Sequence, residues 1–154
     1  MVPPGGIRGG RPRLRGVGAP PAPAKKRVLF VCIGNSCRSQ MAEGFARAYG
    51  SDVMVARSAG LSPATIIAPL TRQVLGERNI RIVDHFPKGL DLLARETFDI
   101  VVNISGMPVP VMAPRVVEWS VVDPIGQTES VYRAVADQIE GLVMRLILEL
   151  RAGA

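Results

Sequence analysis

Cysteine and histidine are scarce in this chain of 154 residues: there are two cysteines, Cys32 and Cys37, and one histidine, His85. Two cysteines so close together cannot make a disulfide framework, which leaves a reducing compartment as the default. The usual four metal ligands are grouped nowhere, so no metal and no cofactor are expected. Long apolar runs are also missing. Val116–Val122 is interrupted by Glu118 and Ser120, and nothing is long enough to cross a bilayer. The basic start is not followed by an apolar core of signal-peptide length. The expectation is a cytoplasmic protein with no membrane partner.

Acidic residues are absent from residues 1–27, which carry Arg8, Arg11, Arg13, Arg15, Lys25, Lys26 and Arg27. That uneven distribution explains the formal charge of +6: with 7 of the 19 basic residues there, 12 remain against 13 acids, a balance of −1. A basic face for nucleic acid is therefore not expected on the folded part. Residues 1–24 also hold 6 of the 13 prolines and 6 of the 16 glycines. Such a segment has little to bury against its ordering entropy, so residues 1–25 read as a disordered tail and 26–154 as one domain.

What remains is strongly patterned. Arg27–Cys32 is a continuous apolar run, the mark of a strand buried on both faces. Ser39–Tyr49 reads as a helix ended by Gly50. Further strands are expected at Val53–Arg57, Ile80–Val83, Phe98–Ile104 and, at an edge, Val116–Trp119. Further helices are expected at Thr65–Arg78, ended by Asn79, at Lys88–Arg95, and at Thr128–Arg151. The last should bury Val131, Val135, Ile139, Leu142, Val143, Leu146 and Leu150. Strands alternating with helices predict a three-layer α/β domain with a mainly parallel sheet. Ligands in such folds bind at the carboxyl ends of strands. Cys32 ends the first strand there, and Asp123, after the last strand, should reach the same edge.

The stretch Val28–Met41, VLFVCIGNSCRSQM, carries the chemistry. A loop wound onto a helix N-terminus offers convergent N–H groups and a favourable dipole to an oxyanion. Residues Ile33, Gly34, Asn35, Ser36, Cys37 and Arg38 are the candidate phosphate-binding loop. Gly34 allows close backbone approach, Asn35 tolerates a left-handed conformation, and Arg38 can fork two ligand oxygens. The same field favours the thiolate of Cys32, with Ser39 placed to donate to its sulfur, which makes Cys32 a candidate nucleophile. Asp123, stiffened by Pro124, is the candidate general acid. Cys37 reads either as a small apolar filler or as a redox partner able to form a reversible disulfide with Cys32. Trp119 and Tyr132 read as packing aromatics, and His85 as a loop residue without a role.

The three stretches CIGNSCRSQMAEG at Cys32–Gly44, RSAG at Arg57–Gly60 and EWSVVDPIGQ at Glu118–Gln127 resemble the low-molecular-weight protein tyrosine phosphatases and their arsenate reductase relatives. The resemblance implies a four-stranded parallel sheet of order 2-1-3-4 flanked by helices. It implies Cys32 as nucleophile, Arg38 as oxyanion and transition-state ligand, and Asp123 as proton donor. Two activities follow from it. One is a phosphomonoesterase working through a Cys32 phosphothiolate on a phosphorylated protein or small phosphomonoester. The other is arsenate reduction of the arsenate–thiol transferase type, with mycothiol or another small thiol as reductant. The three-cysteine, thioredoxin-coupled route is excluded, because Ser105 stands where its next cysteine would be and no cysteine follows. The phosphatase side lacks its aromatic wall: Ile125 and Gly126 follow Pro124, and Leu61, Ser62 and Pro63 follow Gly60. The protein is expected to act as a monomer. A module that merely holds phosphate would not need Cys32, Arg38 and Asp123 together.

Overall fold

The computed structural model describes residues 24–153. The expected disordered tail lies almost wholly outside them. The element order is β1 (Lys26–Cys32), α1 (Arg38–Tyr49), β2 (Met54–Gly60), α2 (Pro69–Gly76), a 3-10 turn (Leu90–Leu93), β3 (Ile100–Asn103), β4 (Arg115–Glu118) and α3 (Glu129–Arg151). The strands form one sheet of order β2-β1-β3-β4, parallel throughout. The fold is the expected one, an α/β domain with a four-stranded parallel sheet and helices against it.

The two sheet faces are covered unequally. Val28, Phe30, Ile100 and Val102 point into the main core, which takes Met41 and Phe45 of α1, Val74 and Leu75 of α2, and Val135, Ile139, Val143 and Leu146 of α3. Leu29, Val31 and Val101 point to the other side, where Leu93 and Phe98 cover them together with Leu90, Val109, Val111 and Ala113. That second layer is thin, a single 3-10 turn and an extended segment. The alternation along β1 is why its sequence is apolar without a break: both faces are buried.

Three expected elements change. Ile80–Val83 is not a strand. Ile80 and Ile82 are buried and the residues between and after them exposed, a period of two, but the chain lies against the helices rather than at a sheet edge. Both side chains fill the space beside Gly44 of α1. The helix expected from Thr65 begins instead at Pro69, the first helical residue, with Ala68 as N-cap. Residues before it are drawn elsewhere: Ala64 N bonds Gly34 O and Ala68 N bonds Ser36 O. Backbone pairing with the β1–α1 loop wins over helix propensity, and Ile66, expected inward, is exposed. Asn79 does end the turn, with a left-handed φ of 61°. The helix expected over Lys88–Arg95 is only the 3-10 turn. On α3, Tyr132 and Ile147 join the buried stripe, and Trp119 packs on Phe30 with ring centroids 5.8 Å apart.

Candidate active site

The loop between β1 and α1 folds as it does because its carbonyls are spoken for. Cys32 O, Ile33 O, Gly34 O and Ser36 O accept from Leu61 N, Ser62 N, Ala64 N and Ala68 N at 2.8–3.1 Å. Asn35 O accepts from Gln40 Nε2 at 3.2 Å. In a trans peptide the N–H points opposite to the C=O. The N–H groups of residues 33, 34, 35 and 37 are therefore turned away from the 61–68 segment. Asn35 sits at the bend with φ of 50°, the left-handed conformation its sequence permits. The first turn of α1 has neither a side-chain cap nor an acid, so its orphan N–H groups stay open to a ligand.

Gly60, at the end of β2, makes this packing possible. A Cβ there would lie 2.6 Å from Ile33 O and 2.8 Å from both Asn35 N and Gly34 C, all backbone atoms. The reading of spacing and charge passes over this residue; only its place in RSAG marks it.

Beneath the loop runs a directed hydrogen-bond chain. Lys88 N donates to Asn35 Oδ1 at 3.0 Å, which fixes the orientation of the amide. Asn35 Nδ2 then donates to Ser39 Oγ at 2.7 Å and to Ser58 Oγ at 2.9 Å. Ser58 passes its hydrogen to Glu43 Oε1 at 2.5 Å, and Ser39 Oγ lies 2.9 Å from Cys32 Sγ. Glu43 is buried; Arg47 at 2.5 Å and Lys88 at 3.9 Å meet its carboxylate, and the His85 ring lies 4.0 Å from it. Burial holds His85 below the usual histidine value, against the pull of Glu43. Burial likewise lowers Lys88. His85, expected to be idle, bonds Gln40 Oε1 at 3.1 Å and belongs to this network. Glu43, Ser58, Gln40 and Lys88 were not singled out as site residues; they are scattered in sequence and only the fold gathers them.

Of the predicted residues, Cys32, Gly34, Ser36, Cys37, Arg38 and Asp123 line one small cavity, with Ile125 beside them, whereas Ile33, Asn35 and Ser39 do not line it. Arg38 is buried, and its Nη1 donates to Ile104 O at 2.8 Å and to Val121 O at 2.9 Å. Those two bonds use both Nη1 hydrogens and leave Nε and Nη2 free to act as a fork. Nη2 lies 3.7 Å from Asp123 Oδ2, whose side chain is half exposed. Asp123 is itself oriented by Ile125 N, which donates to its Oδ1 at 3.1 Å. Both cysteines are free thiols. Cys37 is buried, and burial pushes its thiol up to about 12, the Thr71 hydroxyl opposing the shift. Among the described residues no group of three His, Cys, Asp or Glu could hold a metal, and no helix is long and apolar enough to cross a membrane.

Comparison with known proteins places these features in context. The model of the low molecular weight phosphotyrosine protein phosphatase family matches residues 27–153. A glutaredoxin arsenate reductase of a Synechocystis species is 32% identical over 130 residues, 81% of this chain and 98% of that protein. Arsenate reductase 1 of Bacillus cereus is 37% identical over 120 residues, 75% of this chain and 89% of that one. Among solved structures, an arsenate reductase in its phosphate-binding state superposes with a TM-score of 0.75 at 32% identity, over 81% of this chain and 98% of that one. A low molecular weight protein tyrosine phosphatase from T. tengcongensis gives 0.68 at 32% identity, over 81% and 99%.

Proposed function

The chain belongs to the low molecular weight phosphotyrosine protein phosphatase family, and from that premise we propose that it is a cysteine-dependent phosphomonoesterase. In this reading the N–H groups of Ile33, Gly34, Asn35, Ser36, Cys37 and Arg38 take the phosphate oxygens. The Cys32 thiolate attacks phosphorus in line, forming the S–P bond as the P–O bond to the leaving group breaks. Asp123, as the carboxylic acid, gives its proton to the departing oxygen. Water then attacks the phosphothiolate, Asp123 takes back a proton, and inorganic phosphate and the Cys32 thiolate are restored. Arg38 bears the developing equatorial charge.

The observation that supports this most is the single cavity lined by Cys32, Arg38 and Asp123 together, since a holding site has no need of the acid. In this reading the substrate is a phosphorylated protein or a small phosphomonoester, with Ile125 as the apolar side chain that lines the cavity beside Asp123. Purified protein should hydrolyse an aryl phosphate in the presence of a chelator, and Cys32→Ser should abolish turnover. Turnover by the serine variant would overturn the mechanism.

A second reading is favoured by the curated relatives, which are named arsenate reductases. Cys32 would displace hydroxide from arsenate. Two equivalents of an external thiol, such as mycothiol, would then be oxidised to a disulfide as arsenic gains two electrons and leaves as arsenite. The thiols come from solution, because the sequence holds only Cys32 and Cys37. Arsenite production with a panel of small thiols and their redoxins separates the two readings on one preparation.

A further inference from the structure

Asn103 closes β3 and is buried, yet both polar atoms of its side chain are engaged. Its Oδ1 accepts from Ser105 N at 3.0 Å and from Ser105 Oγ at 2.6 Å. Its Nδ2 donates to Met107 O at 2.7 Å and to the Glu118 carboxylate at 3.1 and 3.3 Å. Its backbone carbonyl accepts from Trp119 N at 2.9 Å. One residue thus ties together the two chain segments that leave the carboxyl ends of β3 and β4.

Those segments carry the two carbonyls that hold Arg38. Ile104 follows Asn103 directly, and Val121 lies two residues beyond Trp119. A guanidinium is planar, so the two acceptors on Nη1 set the direction in which Nε and Nη2 point. We propose that Asn103 is a positioning residue for Arg38: its side chain fixes the spacing of the Ile104 and Val121 carbonyls, and with it the plane of the guanidinium fork. Ser105 is the second part of the device. It donates to Asn103 Oδ1, and its oxygen accepts from Met107 N at 3.0 Å, closing a tight turn just beyond the carbonyl of Ile104. Ser105 is thus bonded into the turn that presents Arg38, besides standing where a relay cysteine would be. The inference rests on Arg38 being the oxyanion ligand of the proposed reaction.

Asn103→Ala should lower kcat for an aryl phosphate and weaken inorganic phosphate binding, each about tenfold, because small misplacements of a transition-state ligand are costly. In an Arg38→Lys background, which has no fork to orient, the same substitution should cost less than about twofold. Val101→Ala, which opens a void in the same strand away from these bonds, should lower Tm at least as much while turnover changes less than about twofold. An undiminished Asn103→Ala loss in the Arg38→Lys background, or an equal activity loss in Val101→Ala, would overturn the proposal. Calorimetric titration with inorganic phosphate reads Asn103 separately from turnover. A wild-type protein that binds phosphate without hydrolysing the ester removes the hydrolase reading, and the tenfold affinity test of Asn103 still decides the inference.

Discussion

Ser39 Oγ lies 2.9 Å from Cys32 Sγ and at the same time accepts the Asn35 amide at 2.7 Å. The second bond leaves the Ser39 hydrogen available to the first. Both hydrogens of Asn35 Nδ2 are given to serine hydroxyls, Ser39 and Ser58, so each hydroxyl keeps its own hydrogen, which Ser58 gives to Glu43 and Ser39 can give to sulfur. A donor aimed at the sulfur is in place to support it as the nucleophile of the proposed reaction.

Ser39→Ala removes that donor without adding bulk. It should lower kcat at least about tenfold, in proportion to one charge-assisted hydrogen bond. Alkylation of Cys32 by iodoacetamide should slow in parallel. Normal alkylation in a slow enzyme would place the role of Ser39 elsewhere.

Asp123 is half exposed and 3.7 Å from Arg38 Nη2, near enough to reach a leaving group over the cavity mouth. If it is the acid, the cost of Asp123→Asn must depend on how much the leaving oxygen needs a proton. Turnover of phenyl phosphate should fall about a hundredfold or more, and that of p-nitrophenyl phosphate, with its more acidic phenol, distinctly less. Equal losses with both esters would remove the acid role.

Much of this was legible in the residues alone. β1, α1 and α3 follow from unbroken apolar runs or a strong helical stripe, and the loop from Cys32 to Ser39 is a local motif whose spacing is its geometry. Asp123 could be placed because parallel strands deliver their following loops to one edge. What was not legible depends on contacts far apart in the chain. Ile80–Val83 has a strand's alternation and no strand to pair with. The start of α2 is moved from Thr65 to Pro69 by bonds to Gly34 and Ser36. Glu43, Ser58, His85 and Lys88 are ordinary surface-type residues in sequence, and only burial makes them one network.

Cys37 shows how burial changes a neighbour of the reactive thiol. Burial pushes its thiol up to about 12, so it stays protonated and is a poor nucleophile near neutrality. Iodoacetamide at pH 8 should label Cys32 and spare Cys37 in the native protein. The unfolded chain loses this proton first as pH rises, so the folded state binds more protons between about pH 9 and 12. Stability from this group is fully present below about pH 9 and declines by about 1.4 kcal/mol per pH unit above it. Urea unfolding from pH 9 to 11 should show a shallower decline in Cys37→Ala than in the wild type. A neutral Cys37 also disfavours the disulfide with Cys32, so peroxide at neutral pH should carry Cys32 to the sulfinic acid.

Two glycines separate loop geometry from general stability. A Cβ at Gly60 meets three backbone atoms of the Cys32–Asn35 segment within 2.8 Å, and backbone held by hydrogen bonds cannot move aside as a side-chain end could. Gly60→Ala must displace the loop by several tenths of an ångström, which should cost about a hundredfold in kcat and much of the affinity for phosphate. Gly141 lies exposed within α3, where a Cβ meets nothing within 4 Å. Gly141→Ala should instead stabilise the protein by up to about 1 kcal/mol through helix propensity, with kcat unchanged. Thermal melts of both variants with and without phosphate make the comparison. Phosphate should raise the Tm of the wild type and of Gly141→Ala by the same amount, and that of Gly60→Ala far less. An undiminished phosphate shift in Gly60→Ala would mean that the cradle tolerates displacement, and that the close packing of β2 on the loop serves stability alone.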